Sequence, residues 1–323
     1  MIDWSRIPDI DWALQLNGDM RRKLETSFEE THVYWTYLNE LLGFLRSANV
    51  GGVQEKIADA NHIQKFYSTV SELEFARVLA SKGKQVTLLV DDFFENRTSP
   101  DMLVTGSSRE AYVEVKRLTE GQAAYMIVDF LRSYLNHPER RYVVSIALNQ
   151  ELSIPVTKRE ERLSKERIAQ RIIEQFPSAL QAADLTTMPS SFEIEGVVFR
   201  IDAIKSPRGY PGVIRSAVIK VPTEVWQKKF VEDVCEKAKK RDAWSGEDLR
   251  KHYIVAIDCE EKYLREDDIE SCLIGSGGIF LTDPVTKNVS GVMARFVTGR
   301  ICLVSNSSAY NEISGLQIQD YLD

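Results

Sequence analysis

The apolar residues change period at Gly83, and that change limits what this chain can fold into. Before it, "TYLNELLGFLRSA" (Thr36–Ala48) and "SELEFARVLASKG" (Ser71–Gly83) repeat at helical spacing, the second stopping on a glycine. After it come short β-type runs. "QVTLLV" (Gln85–Val90), "DMLV" (Asp101–Val104) and "EAYVEVKRL" (Glu110–Leu118) are parted by turn-forming residues. A helical stretch, Gly121–His137, ends before Pro138, and a fourth strand spans Arg141–Asn149. The order is helix, three strands, helix, strand.

Further on the pattern is mixed. Lys158–Phe176 reads as a charged helix, with Glu161 four residues before Lys165. "SFEIEGVVFRIDAIKS" reads as two strands and "GVIRSAVIKV" as another. The helix "PTEVWQKKFVEDVCEKAKKRD" stacks Trp226, Phe230, Val234 and Ala238 on one face. "HYIVAID" reads as a strand, "REDDIESCLIG" as a short helix, and "GGIFLT" and "GVMARFVTGRICLVS" as strand runs. Residues 1–67 then form an N-terminal helical region, 68–150 a core module, and 151–323 a C-terminal α+β lobe.

The second and third strands carry the chemistry. If residues 106–109 form the turn, Thr105 pairs with Glu110, Val104 with Ala111 and Met102 with Val113. Continuing the ladder sets Asp101 opposite Glu114, where facing β-carbons are about 5 Å apart. Lys116 shares the face of Glu114, because strand side chains alternate. Ala111, Val113 and Val115 point the other way, into the core. Two carboxylates that close repel unless a proton or cation sits between them, and a hard divalent ion suits oxygen ligands. On the preceding helix Glu72 falls in the apolar arc with Phe75, Ala76 and Leu79, whereas Glu74 lies with Arg77 toward the polar side. An acid on a buried arc needs a reason. Glu-x-Lys alone is usually an edge-strand device against aggregation; here it coincides with the helix acid and the Pro-Asp.

Pro100-Asp101 and Glu114-Val115-Lys116 together resemble the signature of the PD-(D/E)XK nuclease superfamily. The resemblance spans about a quarter of the chain. It implies an α/β fold with a restriction-endonuclease-like core: α-β-β-β-α-β, a mixed sheet flanked by helices. It also implies a helix acid eleven residues before the glycine that ends the first helix, which here is Glu72. Asp101, Glu114 and the Val115 carbonyl would bind Mg²⁺, with Mn²⁺ able to substitute. Lys116 would assist the nucleophilic water, Glu72 would support the metal shell, and Gln122 would fall where some members carry a polar residue. The activity implied is endonucleolytic hydrolysis of phosphodiester bonds, in DNA, with a homodimer as the means of cutting two strands. Cleavage of RNA, or a non-catalytic nucleic-acid-binding or assembly module on the same fold, is the alternative.

Other features bound the reading. The net charge of −7 argues against an evenly basic surface and leaves room for a local basic groove. Lys82, Lys84, Arg117, Arg132, Arg140, Arg141 and the Lys239–Arg241 run are candidates for one, although cations near a helix C-terminus also suit the dipole. Four cysteines without paired spacing, no signal-peptide pattern and no membrane-length apolar run lead to the expectation of a cytoplasmic protein that is not in a membrane. "GSGG" (Gly275–Gly278) lacks the Lys-Ser/Thr of a phosphate loop, and the acidic run Asp258–Asp268 lacks calcium-loop spacing and reads as a solvated loop.

Overall fold

The computed structural model describes residues 6–18, 32–60, 63–90, 99–106, 109–118, 122–135, 142–147, 152, 156, 159–204, 213–215, 223–244, 246–259, 264–296 and 299–310. The chain divides into two compact units: Met1–Leu118 with Gln227–Asp323, and Thr119–Trp226.

The first unit is built on a six-stranded mixed sheet in the order β1-β2-β3-β8-β9-β10. β1 (Gln85–Leu88), β2 (Met102–Thr105) and β3 (Glu110–Arg117) form an antiparallel meander. β3 then pairs in parallel with β8 (His252–Cys259), and β8 in parallel with β9 (Gly291–Phe296). β10 (Ile301–Ser305) closes the edge as the antiparallel arm of a hairpin. Between β2 and β3 the register is Met102↔Val113, Val104↔Ala111 and Thr105↔Glu110, as the turn-based pairing anticipates.

Helices α1 (Pro8–Ala13), α2 (His32–Ser47), α3 (Val53–Ala58) and α4 (Ile63–Ser81) lie against one face. Leu38, Leu41, Leu42, Leu45, Phe66, Leu73 and Phe75 join Met102, Val104, Ala111, Val113 and Val115 in one core. The alternation of β3 puts Tyr112 and Glu114 on the opposite face. There Tyr112 and Tyr253 pack edge-on against Trp244, and the Tyr253 hydroxyl donates to the Lys237 carbonyl of α7 (Thr223–Ala238). Phe230, Val234 and Ala238 are fully buried, so the apolar stripe expected on α7 is used.

Several expectations are corrected. The boundary at 67/68 falls inside α4, because Phe66 and Leu73 continue one buried face across it. The strand expected to complete the core module, β4 (Tyr142–Ala147), is not in the first sheet. It pairs with β6 (Val197–Ile204) and β7 (Val213–Arg215) in the second unit's sheet, order β5-β6-β4-β7, with β5 at Ser190–Ile194. The parallel partner of β3 comes instead from β8, well over a hundred residues on, so the 68–150 module and the 151–323 lobe do not fold as separate blocks. "GGIFLT" forms a helical turn (Ile279–Thr282), not a strand, with the Gly278 carbonyl accepting from the Leu281 and Thr282 amides. Asp258 is not in a solvated loop; it is buried in β8 and paired with Arg295 at 2.9 Å.

The second unit, Thr119–Trp226, carries α5 (Gln122–Leu135) and α6 (Arg159–Ala182) beside its own sheet. Its core is aromatic: Phe176 meets the rings of Phe130, Tyr134, Phe192 and Phe199. The expected Glu161–Lys165 pair on α6 is present at 3.9 Å.

One glycine at the edge of the first sheet has a strict backbone role. Gly51 bridges Thr87 of β1, and Gly52 turns left-handed (φ 77°) into α3, where an added Cβ would sit 2.2 Å from the Leu88 carbonyl oxygen. This bend aims α3 toward the end of β2.

His252 opens β8, nearly fully buried, with Nε2 3.2 Å from the Arg109 guanidinium. Burial, then Arg109 and Arg241, lower its pKa from 6.5 to about 4. A ring kept neutral in the folded chain but charged in the unfolded one contributes no penalty above pH 6.5 and a growing one below it. Wild type should therefore lose up to about 3 kcal/mol from this group between pH 6.5 and 4, at about 1.4 kcal/mol per unit. Denaturant midpoints across that range should fall less steeply for His252→Gln; equal slopes would refute the assignment.

Candidate functional site

The charged residues meet where β2 begins and β3 runs on past it. Asp101 stands just before β2; its amide donates to the Val113 carbonyl at 3.1 Å, and its Oδ2 accepts from the Val115 amide at 2.7 Å. Glu114 lies on the far side of that step and is fully buried. The N–H and C=O of one strand residue leave by the same edge, so the Val115 carbonyl also faces the edge that β2 leaves open. Glu72 reaches the same region from α4 with its side chain 9% exposed. Burial first, and the nearby Asp101 carboxylate after it, raise the pKa of both Glu72 and Glu114.

What relieves this repulsion is a set of ammonium groups that sequence reasoning did not assign. Lys56, on α3, is 4% exposed. Its Nζ lies 3.0 Å from Glu72 Oε2, 3.3 Å from Asp101 Oδ1 and 2.8 Å from the Leu89 carbonyl oxygen. The Glu72 contact is an ion pair without the alignment of a hydrogen bond. On the other face Lys237 and Lys240 both donate to Glu114 Oε1, Lys240 at 2.5 Å. Lys116 is a third exposed and approaches Asp233 Oδ1 at 4.0 Å, while Lys229 holds that same oxygen more closely. Lysine side chains thus supply positive charge beside these acids.

The charge balance sets the protonation states. Burial opposes the charge on Lys56, but Glu72 and Asp101 outweigh it and hold the ammonium charged. One ammonium facing two carboxylates does not satisfy both. Burial above all, then Asp101, push Glu72 up to about 8 against the pull of Lys56. Burial and Asp101 likewise raise Glu114, opposed by Lys237 and Lys240. Glu114 Oε2 is left buried, with no hydrogen-bond partner among the described residues.

An orphaned buried carboxylate oxygen beside the Asp101 carboxylate and the Val115 carbonyl is an all-oxygen donor set. That fits a hard divalent cation. Glu72, Asp101 and Glu114 are not mutually within 4.8 Å at their donor atoms; among the described residues, Glu266, Glu270 and Cys302 are. That second cluster is an acid pair and a buried thiol with an internal counterion, Arg300 at 2.8 Å from Glu266.

The structure therefore gathers Glu72, Asp101, Glu114, the Val115 backbone and Lys116 in one region. The Gln122 side chain lies outside the described residues. Glu74, expected near the polar side, is buried and pairs with Arg77 at 2.7 Å and Arg295 at 3.9 Å. Of the "KKRD" cations, Arg241 is structural and donates to the carbonyls of Asn288, Leu249 and Lys251. A hint of the Glu114 counterions was available: Lys229, Asp233 and Lys237 recur every four residues beside the apolar stripe of α7. Nothing in the sequence ties Lys56 to Asp101.

No family model, curated protein or solved structure matches the chain.

The pairing at Glu114 has a measurable cost when broken. Lys237→Met leaves a buried carboxylate short of one counterion and should destabilise by about 2–3 kcal/mol, toward the lower end for a broken buried pair. Lys240→Met, at a more exposed end, should cost about 1 kcal/mol or less. Adding Glu114→Gln to Lys237→Met should recover most of the loss, read as a coupling free energy from urea unfolding; additive losses would show that the pair is not coupled.

Proposed function

We propose that the chain is a Mg²⁺-dependent endonuclease of the PD-(D/E)XK superfamily that hydrolyses phosphodiester bonds in DNA. The observation that carries the reading is the buried, unpartnered Glu114 Oε2 beside Asp101, at the open end of a strand pair, with Lys116 on the same strand face. The six-stranded mixed sheet flanked by helices supports it further. β1, β2 and β3 follow α4, and β8 supplies the parallel strand after α7, which gives the α-β-β-β-α-β order once Thr119–Trp226 is read as an insertion.

Asp101, Glu114 and the Val115 carbonyl would hold Mg²⁺ or Mn²⁺, which when bound lowers the pKa of water and offsets charge on a phosphate. The protein's own residues do the rest. The Val115 amide holds Asp101 Oδ2 and Lys56 holds Oδ1 at 3.3 Å, so the orientation of the carboxylate is fixed. Lys116, partly exposed and only loosely paired with Asp233, can turn toward an attacking water or a phosphate oxygen. Lys240, the more exposed of the two ammoniums on Glu114, can exchange that carboxylate for a phosphate oxygen. Glu72 holds Lys56 in place. In this reading the protein is cytoplasmic, and two copies of the site in a homodimer would cut both strands. Among the described residues no helix is long and apolar enough to cross a membrane.

A second reading has its own observation. Lys56, Lys237 and Lys240 already pair with the three acids, as they would in a nucleic-acid-binding or assembly module that no longer turns over. A supercoiled plasmid and a structured RNA, each with and without Mg²⁺, separate the two. Wild type should nick the plasmid only with the metal, and Asp101→Ala and Lys116→Ala should each cut at least about 100-fold slower. Cleavage that persists in both variants would overturn the catalytic assignment. Binding without cleavage by wild type would establish the module instead, and cleavage confined to RNA would move the substrate class.

A further inference from the structure

Lys56 is unusual among the lysines of the site because its ammonium has nowhere else to go. Its side chain is 5% exposed, and its Nζ is ringed by three oxygens: Glu72 Oε2, Asp101 Oδ1 and the Leu89 carbonyl. The ammonium donates to the Leu89 carbonyl and to Asp101 Oδ1, and Glu72 Oε2 pairs with its charge at 3.0 Å. α3 is anchored on either side of Lys56 by Val53 and Ile57, both in the core. Its approach to the site is set by Gly51 and Gly52 at the edge of β1. The cation is therefore held by the fold and not by a flexible arm.

We infer that Lys56 takes the place of a second metal ion, so that each chain carries one divalent ion, on the Glu114 side of Asp101. The inference rests on the metal-dependent reading above and deepens it. Two-metal phosphodiesterases set their ions about 3.5–4 Å apart and bridge them with shared carboxylates. Here Asp101 is the acid placed to bridge, and it is already divided. Oδ1 faces Lys56, Oδ2 is tied to the Val115 amide, and Glu114 lies on its other side. Glu72, the remaining acid that could complete a second metal shell, is spent on Lys56. The charge count agrees. Even with all three acids ionised, Glu72, Asp101 and Glu114 face three ammoniums, Lys56, Lys237 and Lys240. One incoming divalent ion can be balanced when Lys240 swings off Glu114 and a phosphate arrives. A second ion would add two more positive charges with no acid to receive them. The consequence for Glu72 is specific: it is a positioning residue that acts through Lys56, not a ligand.

Counting Mn²⁺ bound to the full-length chain, by calorimetry and by the loss of the free-ion EPR signal, tests this without reference to turnover. Wild type and Lys56→Arg should bind one ion per chain. Lys56→Met should bind two, because Glu72 and Asp101 then lack a counterion. Glu72→Gln should still bind one, with its affinity changed by no more than the roughly 10–100-fold typical of residues outside the ligand shell, whereas Glu114→Gln should lose it. Two ions on wild type would overturn the inference while leaving the nuclease reading intact. So would a folded Lys56→Met that still binds one, or a Glu72→Gln that binds none. No ion on wild type would overturn the metal-dependent reading itself, and this inference with it. If Lys56→Met does not fold, the wild-type count and the Glu72→Gln count still decide.

Discussion

The first unit depends on how one fully buried carboxylate, Glu114, is kept ionisable in the middle of a sheet. β3 is covered on both faces, and a charge there would cost many kcal/mol if left alone. Lys237 reaches it from α7 and Lys240 from the 3₁₀ turn that follows, Lys239–Ala243, over a hundred residues away in the chain. The same helix brings Asp233 and Lys229 toward Lys116, so a single polar stripe sets the charge state of the strand below. On the opposite side Lys56 does the same for Glu72 and Asp101. A buried ion network of this kind contributes little net stability compared with apolar packing.

Much of the architecture before residue 118 is legible in the order of residues. The β2–β3 register follows from turn position and alternation alone, because Ala111 and Val113 cannot face solvent without exposing Met102 and Val104. The stop at Gly83 follows from its left-handed backbone (φ 72°). What could not be read is which later strand completes the sheet. Tyr142–Ala147 and His252–Cys259 are both short apolar runs after a helix, and periodicity does not say which one pairs with β3. The full burial of β8 on both faces is the mark of a central parallel strand, and it emerges only once its neighbours are known.

The site was legible in the same uneven way. Asp101, Glu114 and Lys116 are adjacent through local pairing, so alternation and register suffice to bring them together. Glu72 is separated by a helix and a strand, and its place follows from its position on the buried arc. Lys56, Lys237 and Lys240 come from elements whose approach depends on tertiary packing: the Gly51–Gly52 bend for α3, and for α7 an insertion that postpones it by more than a hundred residues. Charge neutralisation is the part of such a site that sequence hides best, because a surface lysine and a buried one look alike until the chain is folded.

The most direct measurement is a crystal structure grown with Mn²⁺ and examined by anomalous scattering at the manganese edge. The account predicts one anomalous peak per chain beside Glu114 Oε2 and Asp101, with Lys56 still between Glu72 and Asp101. Crystals soaked at saturating Mn²⁺ that show no peak there, with Lys237 and Lys240 still closing over Glu114, would contradict it.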